Sequence, residues 1–210
     1  MPRTMTVLTF LACIVPANTS QLLEAGATRA LDGDFVGFNV VNLKSGNFSK
    51  DQAYTDATAA MRPGLLRYPG GNLVNSWNWR TGWCYANTTV PGCPACKAAC
   101  RGVRKMRVYK LEEFKLAAVA AGAQAVLEVN MLTGNLSETL EYLQHARDLG
   151  LLASSSCSSP DSPRGYVELG GEFYWGKYSD VPWLASGTTY AAEALRWAAA
   201  IRSRFGPGIR

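Results

Sequence analysis

Four candidate strands alternate with four candidate helices along the 210 residues of the chain. Each strand is a short apolar run that ends at Gly, Pro or Asn, and each helix is a longer segment with apolar residues at helical spacing. The expected strands lie at 35–41, 65–68, 123–129 and from 166, and the expected helices at 51–61, 111–121, 137–149 and about 188–204. This alternation predicts an α/β fold in which helices pack outside a parallel sheet.

Polar side chains follow the ends of all four expected strands. Asn39, Arg67, Asn130 and Glu172 each lie at or just after the end of a different strand. Because right-handed crossovers bring the carboxyl ends of parallel strands to one rim, we expect these side chains to share that rim. A doubly wound sheet has the same alternation, but no glycine-rich phosphate loop follows the first strand. The pattern therefore favours a barrel with a site on its rim.

The stretch 166–175 (YVELGGEFYW) is the most suggestive part of that rim. Its strand stops at two glycines, Glu172 follows directly, and Phe173 and Tyr174 come next. A carboxylate beside aromatic residues at the carboxyl end of a strand lies where barrel enzymes keep their chemistry. The alternative is a surface glutamate in a strand-to-helix loop.

The first twenty residues are typical of an export signal. Arg3 is followed by the nine-residue apolar run 7–15, which is too short to span a bilayer, and cleavage after Ala17 or Ser20 is expected. The alternative is a buried amino-terminal strand. No later stretch is long and apolar enough for a membrane helix. We therefore expect residues 21–210 to be soluble and luminal or secreted, without a membrane partner.

Cysteines and glycosylation motifs fit such a compartment. Four of the cysteines fall within one segment, and the others are Cys13 in the signal and Cys157. In an exported protein the segment is expected to be a disulfide-linked insertion at about 83–107, whereas in a reducing compartment it would favour zinc. The four are Cys84, Cys93, Cys96 and Cys100. Three N-x-[ST] motifs follow the signal, and they begin at Asn47, Asn87 and Asn135.

Composition and charge are those of a globular protein, with 48% hydrophobic and 18% charged residues and a net charge of +5. The basic group 101–107 (RGVRKMR) is better explained as a solvated loop than as a nucleic-acid site. The single histidine, His145, falls on a polar helix face, where we expect it to be solvated. No nucleic-acid partner is therefore expected.

Three motifs resemble those of retaining glycoside hydrolases related to α-L-arabinofuranosidases and to β-glucuronidase/heparanase-type enzymes. They are 67–82 (RYPGGNLVNSWNWRTG), 129–134 (VNMLTG) and 167–174 (VELGGEFY), at the ends of the second, third and fourth strands. The resemblance implies a TIM (β/α)8 barrel, here reduced to about four strand–helix units. It also implies hydrolysis of O-glycosidic bonds, a carbohydrate partner, no cofactor and no metal.

The resemblance assigns roles to individual residues. Glu172 corresponds to the acid/base, and Arg67 would hold neighbouring carboxylates by paired hydrogen bonds. Gly70 and Gly71 would let the backbone turn tightly beneath the sugar. The further expected sugar contacts are Asn39, Asn72, Trp77, Asn78, Trp79, Asn130 and Tyr174. For the two tryptophans, a loop packed on the barrel top is the alternative.

Two departures from the family pattern bear on activity. Gly171 stands where the family has an Asn that bonds the sugar 2-hydroxyl. The family's nucleophile lies after the seventh strand, whereas this chain stops where a fifth would begin, and eight units need about 250 residues. Glu168 is not expected to substitute, because four extended residues would place it about 13 Å from Glu172.

The sequence thus leaves two functions open. The first is the amino-terminal half of a retaining glycoside hydrolase, incomplete or inactive as this chain. The second is a secreted, non-catalytic carbohydrate-binding or degenerate barrel protein, which Gly171 favours. A cysteine-linked interaction module ranks last, because it explains only the cysteine segment. Because the expected sheet has open edges, residues 21–210 alone should aggregate or dimerise.

Overall fold

The computed structural model of this protein describes most of the chain from Val36 to Ile209. The described residues are 36–40, 51–85, 88–98, 105–107, 110–152, 165–175, 178 and 180–209. The predicted signal segment, the motifs at Asn47 and Asn87, and Cys100 and Cys157 lie outside them. Among the described residues, no helix combines the length and the apolar character that a membrane crossing requires.

Nine strands and four helices, with three short 3-10 turns, make up the described structure. The first part of the chain contains β1 (Gly37–Asn39), α1 (Gln52–Ala60), β2 (Leu65–Tyr68), β3 (Trp77–Asn78), β4 (Trp83–Tyr85), β5 (Thr88–Val90), β6 (Cys93–Ala98) and β7 (Lys105–Arg107). The remainder contains α2 (Leu111–Ala121), β8 (Gln124–Val129), α3 (Leu136–Asp148), β9 (Tyr166–Leu169) and α4 (Gly187–Phe205). The 3-10 turns cover Gly71–Ser76, Phe173–Trp175 and Pro182–Leu184.

The principal sheet has four strands in the order β1-β2-β8-β9, and every pair is parallel. Asn39 lies opposite Arg67, and Glu128 lies opposite Glu168. Next to β9, Ile209 makes a parallel bridge with Gly165. The prediction of a parallel α/β sheet built from strand–helix units is therefore confirmed. The first strand is shorter than the predicted 35–41.

Alternating side chains divide this sheet into two faces. On the outer face, Leu66, Tyr68 and Leu127 are at most 1% exposed and belong to one hydrophobic core with the helices. Tyr68 stacks on Phe114 of α2 with ring centroids 4.5 Å apart. The other face carries one charged residue from each of three strands, Arg67 of β2, Glu128 of β8 and Glu168 of β9. The fold therefore separates packing and charge onto opposite sides of the same strands.

Local signals start and end the helices. The Asp51 side chain accepts a hydrogen bond from the Tyr54 amide and caps α1, as predicted. Gly122 ends α2 in the left-handed conformation, also as predicted. Two predicted start points were late. Asn135 rather than Ser137 caps α3, and Ser186 rather than Thr188 or Thr189 caps α4. In both cases the capping side chain accepts a hydrogen bond from the backbone N–H three residues later, which belongs to Glu138 in α3 and to Thr189 in α4.

The segment between β2 and α2 is more regular than the sequence suggested. β3, β4 and β7 form an antiparallel sheet, and β5 pairs with β6 in a separate antiparallel ribbon. Their short length and the absence of clear alternation hid these strands. Cys84 and Cys93 each take part in a disulfide bond. Disulfide bonding of the whole insertion remains a prediction.

Candidate active site

Three charged side chains meet on the inner face of the principal sheet. Arg67 donates to both carboxylate oxygens of Glu168, from Nε and Nη2, each over 2.6 Å. Its Nη2 also donates to Oε1 of Glu128. These hydrogen bonds to Glu168 raise the pKa of Arg67. Arg67 thus holds neighbouring carboxylates by paired hydrogen bonds, which is the geometry that the resemblance implied.

Glu128 is the most perturbed acid of this cluster. Its side chain is 0% exposed. Burial raises the pKa of Glu128 from its ordinary 4.5 to about 8, against the opposing effect of Arg67, and the Glu168 carboxylate adds to the rise. Burial therefore favours the protonated form of Glu128 over its charged form. Sequence reasoning missed this residue, although a single charge inside the apolar run 123–129 was a usable signal.

The turn after β2 brings its backbone under Glu172. Gly70 and Gly71 have φ angles of +85° and +65°, a left-handed backbone that side chains rarely adopt. A Cβ on Gly71 would lie 2.8 Å from Oε1 of Glu172. The backbone conformation therefore favours glycine at position 71, whereas the contact with the flexible end of the Glu172 side chain can be relieved by a shift of that side chain. These positions provide the tight turn that was predicted for them.

Glu172 lies beyond β9 in an unusual backbone conformation. Its φ is +55°, and Gly170 two residues earlier has φ +74°. Non-glycine residues rarely adopt this conformation, which costs about 1–3 kcal/mol and concentrates at functional sites. The chain consequently does not run extended from Glu168 to Glu172, so the separation of about 13 Å expected for an extended chain does not apply.

Glu168 and Glu172 instead line the same open cleft of about 460 Å³. The cleft lies between the carboxyl end of β9 and the start of α4, and its volume is ordinary for a small-molecule site. Aromatic residues form much of its wall, including Phe173, the 82% exposed Tyr174, and Tyr190. A polar floor between aromatic walls suits a sugar ring.

Gly171 leaves no room for the side chain that the family carries there. A Cβ at this position would lie 2.8 Å from the Gly71 carbonyl oxygen and 2.9 Å from Cγ1 of Val74. It would also lie 3.1 Å from Oε1 of Glu128. The Gly171 carbonyl accepts a hydrogen bond of 2.7 Å from Nδ2 of the buried Asn75. The glycine is therefore built into the packing of this site.

The aromatic residues predicted to stack on sugar lie elsewhere. Trp77 is only 4% exposed and makes edge-to-face contacts with Tyr68 and Tyr142. Trp79 is partly buried against Tyr142 and His145. The packed-loop alternative thus describes both positions better than an exposed stacking face. His145 is also not merely solvated, because its Nε2 lies 2.9 Å from Oε1 of Glu112.

Asn130 and Asn78, two residues predicted to contact sugar, form hydrogen bonds within the rim loops. Asn130 donates to the Trp77 carbonyl over 3.0 Å and accepts from the Thr133 amide over 2.9 Å. Asn78 accepts from the Arg80 and Thr81 amides, each over 3.1 Å. These bonds satisfy the turns at the rim, and neither residue lines the cleft of Glu172.

The remaining predicted contacts divide between the turn and the sheet edge. Oδ1 of Asn72 accepts from Asn75 over 3.3 Å and from the Tyr178 hydroxyl over 3.5 Å. Asn39 is exposed on β1, beside Arg67 in register. Within the described part of the chain, no group of three or more His, Cys, Asp or Glu side chains is arranged to hold a metal ion.

Comparison with known proteins identifies the fold. No family model and no curated protein matches the sequence. Among solved structures, an arabinofuranosidase matches with a TM-score of 0.57 and 20% identity, over 85% of this chain and 39% of that one. An α-L-arabinofuranosidase from Thermotoga maritima, solved as an arabinose complex, matches with a TM-score of 0.54 and 20% identity, over 83% and 39%.

A third match is the GH51 arabinofuranosidase from Xanthomonas axonopodis pv. citri, with a TM-score of 0.53 and 17% identity, over 84% of this chain and 38% of that one. The chain thus spans about two fifths of the length of the solved chains that it matches. Its parallel sheet and helices have the fold of part of the (β/α)8 barrel of GH51 α-L-arabinofuranosidases.

Proposed function

We propose that this chain forms the acid/base-bearing part of a retaining glycoside hydrolase-like barrel and binds carbohydrate at its rim. The observation that carries this proposal is the placement of Glu172. It follows β9 in a left-handed conformation, packs over Gly71, and lines an aromatic-walled cleft. The T. maritima structure, an arabinose complex, supports carbohydrate as the ligand class.

In this proposal Glu172 performs both proton transfers. It protonates the leaving glycosidic oxygen and then, as a carboxylate, takes a proton from the water that attacks the glycosyl-enzyme. Arg67 holds the Glu168 carboxylate in a fixed position at the cleft by two hydrogen bonds. Because both oxygens of Glu168 are already bonded to Arg67, Glu168 is a poor candidate for the nucleophile. None of the described residues is assigned that role.

The test is turnover of aryl furanosides and aryl glucuronides by the 210-residue chain and by its Glu172→Ala variant. The proposal expects sugar binding but no hydrolysis by this chain, since a retaining reaction needs a second carboxyl group about 5–5.5 Å away. Glu141→Ala, on the exposed side of α3, is the matched control. Turnover that disappears in Glu172→Ala and persists in Glu141→Ala would identify Glu172 as catalytic. It would also contradict the expectation that this chain supplies no second carboxyl group to act as the nucleophile.

A longer protein that supplies the second carboxylate allows a sharper test. There Glu172→Ala should slow hydrolysis strongly for poor leaving groups but slow glycosyl-enzyme formation far less for activated aryl glycosides. Azide should rescue the second step, because a small anion attacks without general-base help. Uniform loss for all leaving groups, without rescue, would exclude the acid/base role.

A second candidate is a non-catalytic carbohydrate-binding barrel, and Gly171 is the observation that favours it. The position lacks the Asn that would bond the sugar 2-hydroxyl, and it has no room for one. Calorimetric titration with arabinose and with glucuronate separates the outcomes. Binding without turnover in the longer protein would favour this candidate over the enzyme.

Export of the chain and a disulfide-linked insertion belong to the same proposal. They would place a sugar-binding protein in the lumen or outside the cell. In protein secreted from a eukaryotic host, free-thiol titration should detect at most one reactive thiol. Stoichiometric zinc together with free thiols would reverse the disulfide assignment.

A further inference from the structure

A small cavity separates β3 from α3, away from the cleft of Glu172. Trp77 and Trp79 line it from one side, and Glu138, Thr139 and Tyr142 line it from the helix. Its volume is about 20 Å³. A cavity holds a water molecule from about 10–15 Å³ on this measure, so one water fits and a sugar does not.

Three buried polar atoms belong to the residues that line this cavity. The indole Nε1 of Trp77, the indole Nε1 of Trp79 and the hydroxyl of Tyr142 have no hydrogen-bond partner among the described residues. Trp77 and Tyr142 are only 4% and 2% exposed. Buried donors without partners are costly, and native structures seldom contain three together. Because all three residues line one cavity, a single occupant of that cavity is the common partner that we consider for these atoms.

The chemistry of these atoms restricts what that partner is. An indole N–H only donates, so the occupant must accept two hydrogen bonds. Burial raises the pKa of Tyr142, which therefore keeps its hydroxyl proton and both donates and accepts. The Glu138 carboxylate at the same cavity disfavours an anion such as chloride, and two N–H donors disfavour a cation.

We propose that this cavity binds one water molecule that accepts from the Trp77 and Trp79 indoles and donates to the Tyr142 hydroxyl. The site is independent of the proposed function. In this position the water links β3 and the turn that follows it to α3. Arg80 reinforces the same junction, with its guanidinium 4.6 Å from the Trp79 ring centroid and its Nη1 donating to Glu138 over 2.9 Å.

The direct test is a high-resolution crystal structure of the whole chain, with a second crystal soaked in sodium bromide. The proposal requires one oxygen within about 2.7–3.2 Å of both indole nitrogens and the Tyr142 oxygen. An anomalous bromide peak at that position would identify a halide site and overturn it. Indole nitrogens bonded to protein atoms, or a cavity without density, would also overturn it.

The sign of the Tyr142→Phe effect provides an independent solution test. If the hydroxyl binds water, its removal takes away a partner, and the melting temperature should fall by about 2–4 °C. If the hydroxyl has no partner, its removal should leave the melting temperature unchanged or raise it, which would overturn the proposal.

A third readout does not depend on any variant folding. In the unchanged protein, the indole N–H protons of Trp77 and Trp79 should show nuclear Overhauser contacts to a long-lived bound water. They should also be protected from hydrogen exchange. Rapidly exchanging indole protons without water contacts would contradict the site.

Discussion

The rims at the ends of β8 and β9 carry similar residues and differ in what those residues do. After β9, Glu172 and Tyr174 line an open cleft together with Glu168. After β8, Asn130 is bonded to the Trp77 carbonyl and to Thr133. Polar and aromatic residues at strand ends therefore do not suffice to define a site. What distinguishes the two rims is that the polar side chain after β8 is bonded within the rim loops, whereas those after β9 line an open cleft.

We expect the largest effect on stability from a change of pH, acting through Glu128. This residue of β8 is linked to Glu168 of β9 because Arg67 bonds both side chains. A raised acid pKa means that the folded protein binds the proton more tightly. The associated stability is fully present below about pH 4.5 and is lost as the pH rises through about 8. The size of that rise corresponds to a loss of up to roughly 5 kcal/mol.

Urea unfolding between pH 5 and pH 9 checks this expectation. Glu128→Gln keeps the shape and an acceptor for Arg67 but cannot ionise, so its free energy of unfolding should fall less with pH than that of the unchanged protein. Parallel pH profiles for the two proteins would show that Glu128 does not titrate in this window.

Substitutions of Trp77 test whether the rim at the end of β8 is stabilised by packing. Trp77→Ala should lower the free energy of unfolding by about 3–5 kcal/mol, because it removes a buried ring from the core. Trp79→Ala, on a partly exposed ring of the same ribbon, should cost about 1–2 kcal/mol. A Trp77→Phe variant that folds normally but loses sugar binding would return Trp77 to the list of sugar contacts.

Gly171 tests the packing beneath the open rim, with a smaller effect. Gly171→Ala should cost about 1–3 kcal/mol, because its Cβ meets the Gly71 carbonyl oxygen and Val74. Gly187→Ala is the control, since nothing lies within 4 Å of a Cβ there. Equal melting temperatures for the two variants would show that the turn after β2 can shift to accommodate the added methyl group at little cost. Gly171→Asn should likewise destabilise rather than restore the family motif.

Much of the fold could be predicted from the chain because its signals are local. Short apolar runs, the cap at Asp51 and the stop at Gly122 follow from neighbouring residues, and the structure confirms them. The antiparallel ribbons of the insertion could not be predicted in the same way. Their strands are two to six residues long and are stabilised by pairing with distant partners.

The sequence by itself determined the strand–helix order, the parallel sheet and the position of Glu172 after the fourth strand of that sheet. It also indicated Arg67 as a holder of carboxylates. Only the tertiary structure decided which carboxylates Arg67 holds, because Glu128 and Glu168 lie 61 and 101 residues away from it in the chain. It also decided that Trp77 packs inward and that Gly171 has no space for a side chain. Those outcomes depend on which surfaces meet across the sheet, and residue spacing carries no information about that.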